Sequence, residues 1–370
     1  MVFGPRRSPL AADTGAEETG PREALEALEA LVLPALLRPP CLVAFSGGRD
    51  SSALLAAAAT IARRHGLDPP VPVTLRFGGD SRTEEEGWQD LTIRHLALAE
   101  WLRLDLTTEL DALGSIGSSL LERHGEYWPP LAHSSVPMLE AAAGGALLTG
   151  NGGDELLSAW DLRRNWLLRH GRVVPKRADA KALVLFSLPV RLRREIWRRR
   201  LPLRLGWLTP EADEELQRLW AAQSATRDAS WSDYVDRVLG SRYFELGRAV
   251  FAMLADDAGV LLVEPFLEPA FARAVARTAP AEGFAGRTEA LERLFGDLLP
   301  AETLRRTTKA SFTTVAWGPA ARAFAAAWDG SGLDAGLVDA DALRSEWLGD
   351  RPDFRSLTPL QCAWLATRDR

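Results

Sequence analysis

The stretch that decides the fold is CLVAFSGGRDSSALLAAAATIARR, residues 41–64. An apolar run, 41–45, meets Ser46-Gly47-Gly48-Arg49-Asp50-Ser51, and an alanine- and leucine-rich segment follows at once. A strand that bends through glycine into a helix makes an anion site. The first backbone N–H groups of such a helix lack internal acceptors and carry the positive end of its dipole. Gly47 and Gly48 can take turn dihedrals closed to other residues and let backbone approach a phosphate. Ser46, Ser51 and Ser52 add hydroxyl donors. Asp50 would repel a bare phosphate, but it fits a site in which Mg²⁺ lies between them, since that ion is commonly bound through one or two carboxylates plus phosphate oxygens. Neither GxxxxGK[ST] nor GxGxxG stands at this strand end, which excludes a Walker loop and a dinucleotide fingerprint. Ordinary helix capping would explain a lone Ser-Gly-Gly; the complete SGGxDS between strand and helix argues for the phosphate loop.

Outward from this loop, short apolar runs alternate with helical ones. Apolar residues at Leu25, Leu28, Leu31, Val32 and Leu36 predict a helix over 22–37, bent near Pro34. Strands are expected at 41–45, 71–77, 101–106 and 145–149, with helices over 51–65 and 84–99 and two more helical segments before the fourth strand. This alternation predicts α/β architecture, a parallel sheet with helices on both faces. The first strand is apolar throughout, as one covered on both sides should be. Beyond Glu155 helical periodicity dominates to the C-terminus, which places a boundary near residue 160. Residues 1–20, rich in Gly, Pro, Ala and Glu, read as a flexible tail.

The fourth strand ends in LLTGNGGDELLSAW, residues 147–160. A second glycine-rich bend thus delivers a second acid, Asp154, to the start of a helix. Ligands in open α/β sheets bind at the carboxyl ends of the strands, so Asp50 and Asp154 are expected to share Mg²⁺ there.

Composition narrows the rest. The 370 residues are 46 % hydrophobic and 25 % charged with a formal net charge of -6, which gives no global positive field for a nucleic-acid partner. Two cysteines, Cys41 and Cys362, make neither a disulfide framework nor a metal cluster, and fit a reducing cytoplasm. The N-terminus has no apolar h-region and no segment reaches ~18 consecutive apolar residues, so neither a secretory signal nor a membrane span is expected. His65, His95, His124, His133 and His170 show no zinc-binding spacing. Arginines clustered at 191–204 read as a solvated or acid-paired helical face in preference to an RNA patch.

The order SGGRDS (46–51), TGNGGDE (149–155), EPFLEP (264–269) and RRTTKASF (305–312) resembles the synthetase domain of the asparagine synthetase family, which includes β-lactam synthetases and lasso-peptide cyclases. The resemblance covers about residues 22–320. It implies an adenine-nucleotide α-hydrolase-like fold, with residues 21–160 as the ATP-binding domain and 161–370 as a mostly helical region completing the acyl and amine site. By the same resemblance Ser46, Gly47, Gly48, Asp50 and Ser51 form the pyrophosphate loop, Asp50 and Asp154 hold magnesium, and Ala44, Leu75, Thr149 and Gly150 border the adenosine. Lys309 matches the family's catalytic lysine. Arg287, in GRTEALERLF, stands where the family has a phosphate-binding lysine; it keeps the charge but offers a planar fork.

Three departures shape the expected chemistry. The 40 residues before the first strand are too few for the family's glutaminase domain, and residue 2 is Val in place of a nucleophilic cysteine, so the nucleophile is expected to be a supplied amine, free ammonia or an amine within the same substrate. Asn151 occupies a position that is acidic in asparagine synthetases, and Asn cannot act as a general base; His133, Glu155, Glu264 and Glu268 are the unranked candidates. In GVLLVEPFLE (259–268), Leu261 and Val263 replace a Glu-x-Arg pair, which favours an acid larger or more apolar than aspartate. The expected activity is an ATP-dependent, AMP-forming amide ligase that activates a small-molecule or peptide carboxylic acid for transfer to an amine, in biosynthesis of a natural product and with a partner enzyme or carrier. A lasso-type macrocyclase, a tRNA-modifying ligase and a catalytically idle nucleotide-binding subunit remain as alternatives.

Overall fold

A computed structural model describes residues 21–77, 82–200, 204–306 and 316–368. Five strands form one parallel sheet: β1 (Cys41–Ala44), β2 (Val71–Phe77), β3 (Leu102–Leu106), β4 (Ala146–Leu148) and β5 (Leu261–Val263). Their order is β3-β2-β1-β4-β5. The register sets Leu42 of β1 beside Val71 and Leu147, and Leu148 of β4 beside Val263. The four strands expected from the sequence are present, each within a residue or two of its predicted bounds.

The fifth strand was not expected. It comes from GVLLVEPFLE, where three apolar residues are too short a run to announce a strand, and only pairing with β4 makes them one. The sheet is therefore completed by chain more than one hundred residues beyond β4, within the mostly helical portion.

Side chains alternate strictly across the sheet. Cys41, Val43, Ala146 and Leu148 face one core, shared with α1 (Pro21–Leu36), α2 (Arg49–His65) and the helices Pro269–Thr278 and Arg287–Phe295. Leu42, Val73 and Leu147 face the other, shared with α4 (Ser115–His124), α5 (Val136–Ala141), the helix Arg242–Ala258 and three C-terminal helices; α3 (Arg82–His95) lies between β2 and β3 in the chain. Burial on both faces is what an all-parallel sheet requires, and Cys41 is among the buried residues, its thiol pushed up to about 12 by desolvation. The run of α2 from Ser51 to Ala59 is buried throughout. Its alanines let the helix lie close to the sheet, and Gly66, at φ 63°, ends it in the left-handed conformation. Among the described residues no helix is long and apolar enough to cross a membrane.

The second core is tied to the C-terminal helices by a buried carboxylate. Asp111 accepts hydrogen bonds from the backbone N–H of Ala320 (2.6 Å) and Ala321 (3.0 Å), capping the helix Pro319–Ala327. Proline inside α1, at Pro34, does not end the helix before Leu36. Leu28 of α1 is fully buried against α2 and the helix Pro269–Thr278, so Leu28→Ala is expected to lower stability by about 2–5 kcal/mol. Urea denaturation measures this; an unchanged midpoint would mean that α1 is an appendage.

Candidate active site

The strand order reverses at β1: β2 and β3 lie to one side, β4 and β5 to the other. Chains leaving the carboxyl ends of β1 and β4 therefore diverge around a crevice, the place where open α/β sheets take ligands. Both glycine-rich loops follow these two strands.

After β1 the loop is held by its own hydroxyls. The Gly48 N–H donates to Ser46 Oγ (3.2 Å), Ser51 Oγ donates to the Gly48 carbonyl (3.0 Å), and Ser51 Oγ accepts from the Ser46 N–H (3.3 Å). Gly47 sits at φ 80°, and a Cβ there would fall 2.7 Å from Cγ of Gln89, whose amide donates to the Ser46 carbonyl at 3.0 Å. Glycine is required at this position on both counts. Two residues to which the sequence assigned no role join the loop. Buried Arg306 donates to the Gly47 carbonyl at 2.6 Å and lies over the Trp88 ring, and Arg49, the variable member of SGGxDS, donates to Thr288 Oγ1 at 3.1 Å. Arg306 was visible as part of RRTTKASF; Gln89 carried no signal.

After β4 the loop places Asp154 in a short helix, α6 (Gly153–Leu156). Gly152, at φ 88°, packs against Leu267, and a Cβ on Gly153 would lie 2.5 Å from Cγ of Asp50. The absence of a side chain at 153 is what lets the Asp50 carboxylate meet the second loop.

Asp50 and Asp154, 104 positions apart in the chain, converge on one group. Arg287, first residue of the helix Arg287–Phe295, donates through Nε to Asp50 Oδ1 at 3.1 Å, through Nη2 to Asp50 Oδ2 and through Nη1 to Asp154 Oδ1. Burial lowers the Arg287 pKa and the two carboxylates more than offset that, so the guanidinium is held above its usual range. Burial and the neighbouring Arg287 pull Arg49 below its usual range, against Asp50 and Asp154. Arg287 thus bridges the two acids, with Arg49 close enough to feel both.

This donor set fits Mg²⁺: two hard carboxylates from separate elements meet around a single positive charge, and the remaining positions of an octahedron are commonly left to phosphate and water. Among the described residues no cluster of three or more metal-ligating side chains occurs, so these two would be its protein ligands.

A cavity of about 270 Å³ opens beside the pair. Asp50, Gly150, Asn151, Asp154, Glu155 and Glu264 form its polar end; Pro129, Tyr243, Phe244, Phe251 and Leu267 form an apolar wall. Glu264 closes β5 and is 8 % exposed. Asn151 Nδ2 donates to its Oε1 at 2.7 Å and Thr149 Oγ1 to the same oxygen at 3.4 Å. Desolvation raises the Glu264 pKa above the usual carboxylate range, with Asn151 and Arg248 opposing. The aromatic wall comes from the helix Arg242–Ala258, which nothing in the sequence connected with the loops.

The other expected residues distribute as follows. Ala44 and Leu75 stand at or near the carboxyl ends of β1 and β2, and the Thr149 N–H donates to the Val263 carbonyl at 3.0 Å, at the rim of the same crevice. His133 is fully buried; its Nε2 donates to the Leu110 carbonyl at 2.9 Å and Nδ1 accepts from the Tyr127 hydroxyl at 3.2 Å, so both nitrogens are engaged away from the cavity. Glu268 pairs with Arg248 at 2.7 Å. Lys309 lies outside the described residues. In the arginine-rich segment, Arg193 is buried on the carbonyls of Leu188 and Ala225, while Arg198 and Arg199 pair with Glu195 and Arg204 faces Asp213 at 3.8 Å.

Residues 37–366 match the family described as asparagine synthase. No curated protein matches the chain.

With its guanidinium gone, Arg287→Met leaves two carboxylates facing each other, and stability in chelator should fall by roughly 1–3 kcal/mol. Millimolar Mg²⁺ should restore part of the loss. Urea denaturation with and without the ion measures both, and an unaltered midpoint in chelator would remove the bridging role.

Proposed function

The chain belongs to the asparagine synthase family and is an ATP-dependent ligase acting on a carboxylate and an amine, and from that premise we propose that it works by way of an acyl-adenylate, releasing AMP and pyrophosphate. The observation that carries this reading is the convergence of Asp50 and Asp154 on Arg287 at the crevice between β1 and β4.

The β and γ phosphates of ATP lie over Ser46–Ser51, against the first N–H groups of α2, with Arg49 and Arg306 adding positive charge beside them. Asp50 and Asp154 would hold Mg²⁺, which would supply positive charge to the pyrophosphate leaving group. The adenosine rests between the ends of β1, β2 and β4, bordered by Ala44, Leu75, Thr149 and Gly150. The acid enters from the cavity, its carboxylate oxygen attacking the α-phosphorus as the bond to the β-phosphate breaks. Its remainder lies along Tyr243, Phe244, Phe251 and Leu267, which supports an acid with an aromatic or apolar body. Lys309 stabilises the negative charge that builds on the α-phosphate and then on the acyl oxygen. The amine arrives as such, as free ammonia, or as part of the same substrate.

Preorganised charge is the catalytic device, so its removal has a predictable size. Lys309→Ala should slow acid-dependent pyrophosphate release by about 2.7–4 kcal/mol of barrier, and Asp50→Asn should abolish it, with circular dichroism unchanged in both. Pyrophosphate and AMP release are assayed on a panel of carboxylic acids with ammonia and primary amines. Release of ADP and phosphate would replace the acyl-adenylate with an acyl-phosphate; full turnover in Asp50→Asn would remove that residue from the site.

A further inference from the structure

Asn151 stands where an acid would have taken the amine's proton, and the structure offers a carboxylate from elsewhere at the same place. We propose that Glu264, held by Asn151 and Thr149, is the general base that deprotonates the attacking amine, and that Asn151 is its positioning residue; this rests on the amide-ligase reading above.

Four features select Glu264 from the candidates. It closes β5, next to the β4 loop that carries Asp154, and it lines the cavity. Its two hydrogen bonds both fall on Oε1, from Asn151 and Thr149. Among the described residues Oε2 takes none, which leaves that oxygen's lone pairs for a proton. Finally, burial gives the carboxylate a raised proton affinity, as a base working near neutral pH needs. His133 has both ring nitrogens engaged in the core, and Glu268 is paired with Arg248. Glu155 also lines the cavity, but it sits on the short helix α6 and is less buried than Glu264.

The charges around Glu264 fit the role. Arg248, from the helix Arg242–Ala258, lowers its pKa, and Glu268, from the turn after β5, raises it. Asp50, Asp154 and Glu155 occupy the cavity walls from α2 and α6. Asp50 and Asp154 are paired with Arg287, and Arg248 also lines the cavity. In the step itself one proton passes from the ammonium nitrogen to Glu264 Oε2. The freed lone pair forms the C–N bond at the acyl carbon, and the pair of the C–O bond to phosphate leaves with AMP. The second proton, shed by the tetrahedral nitrogen, goes with the departing phosphate.

This assigns Glu264 to the second half-reaction alone, which separates its failure from that of the ligase reading. The wild-type chain is first screened for exchange of labelled pyrophosphate into ATP on a panel of aryl and alkyl carboxylic acids. On any acid that supports exchange, Glu264→Gln, which keeps an oxygen for Asn151, should retain exchange and lose amide formation with alkylamines by roughly 10²–10⁴-fold. Hydroxylamine, largely uncharged at neutral pH, should lose much less. The wild-type amide rate should rise with pH through an inflection above the usual carboxylate range, because only the deprotonated carboxylate accepts a proton; Glu264→Gln should lack that inflection. Asn151→Ala should shift the inflection and cut the rate less than Glu264→Gln. Amide formation within about threefold of wild type in Glu264→Gln, or loss of exchange together with amide formation, overturns the base assignment. Absence of exchange from the wild type on every acid overturns the ligase reading and this inference with it.

Discussion

Two carboxylates that ought to repel are held at one point, and the site is organised around that constraint. Asp50 and Asp154 face each other because β1 and β4 are neighbours in the sheet, because Gly153 has no side chain to keep them apart, and because Arg287 supplies the charge that makes their approach tolerable. Each condition is needed. A methyl group at 153 would collide with the Asp50 carboxylate, and like charges in a part-buried setting disfavour each other's ionised forms. A protein that gathers acids in this way keeps them poised for a cation. In this structure the arginine meets that electrostatic demand.

The same economy governs the glycines around the loops. Gly47 and Gly152 take backbone angles that side chains resist, and each also faces a neighbour, Gln89 or Leu267, with no room for a Cβ. Their role in shaping backbone is therefore inseparable from close packing. The hydroxyls of Ser46 and Ser51 act in the same sense: they bond within the loop and hold its amides in one arrangement. Preorganised dipoles of this kind need no rearrangement when charge develops.

Beside this rigid rim lies a cavity of different character, half acidic and half aromatic. Its polar end takes Glu264 out of water, and desolvation raises its proton affinity for that reason. Asn151 complements it by donating where an acid would have repelled it. Asn151 and Glu264 thus form one hydrogen-bonded pair built from the ends of two strands, β4 and β5.

The local grammar of the chain was legible without coordinates. Strand, glycine bend, carboxylate and helix follow one another at 41–65 and again at 146–156, since φ freedom, helix dipole and side-chain period act over a few residues; four strands, the parallel sheet with helices on both faces and the rim bearing Asp50 and Asp154 all follow from them. What lies far apart in sequence was decided only by the tertiary structure. Leu261–Val263 becomes an edge strand through pairing with β4, Arg287 reaches across 237 positions to Asp50, Arg306 finds the Gly47 carbonyl, and His133 is taken into the core while Glu264 is left at the cavity. Those outcomes depend on which surfaces are brought together and dried, and partner choice of that kind leaves no periodic trace in the residues themselves.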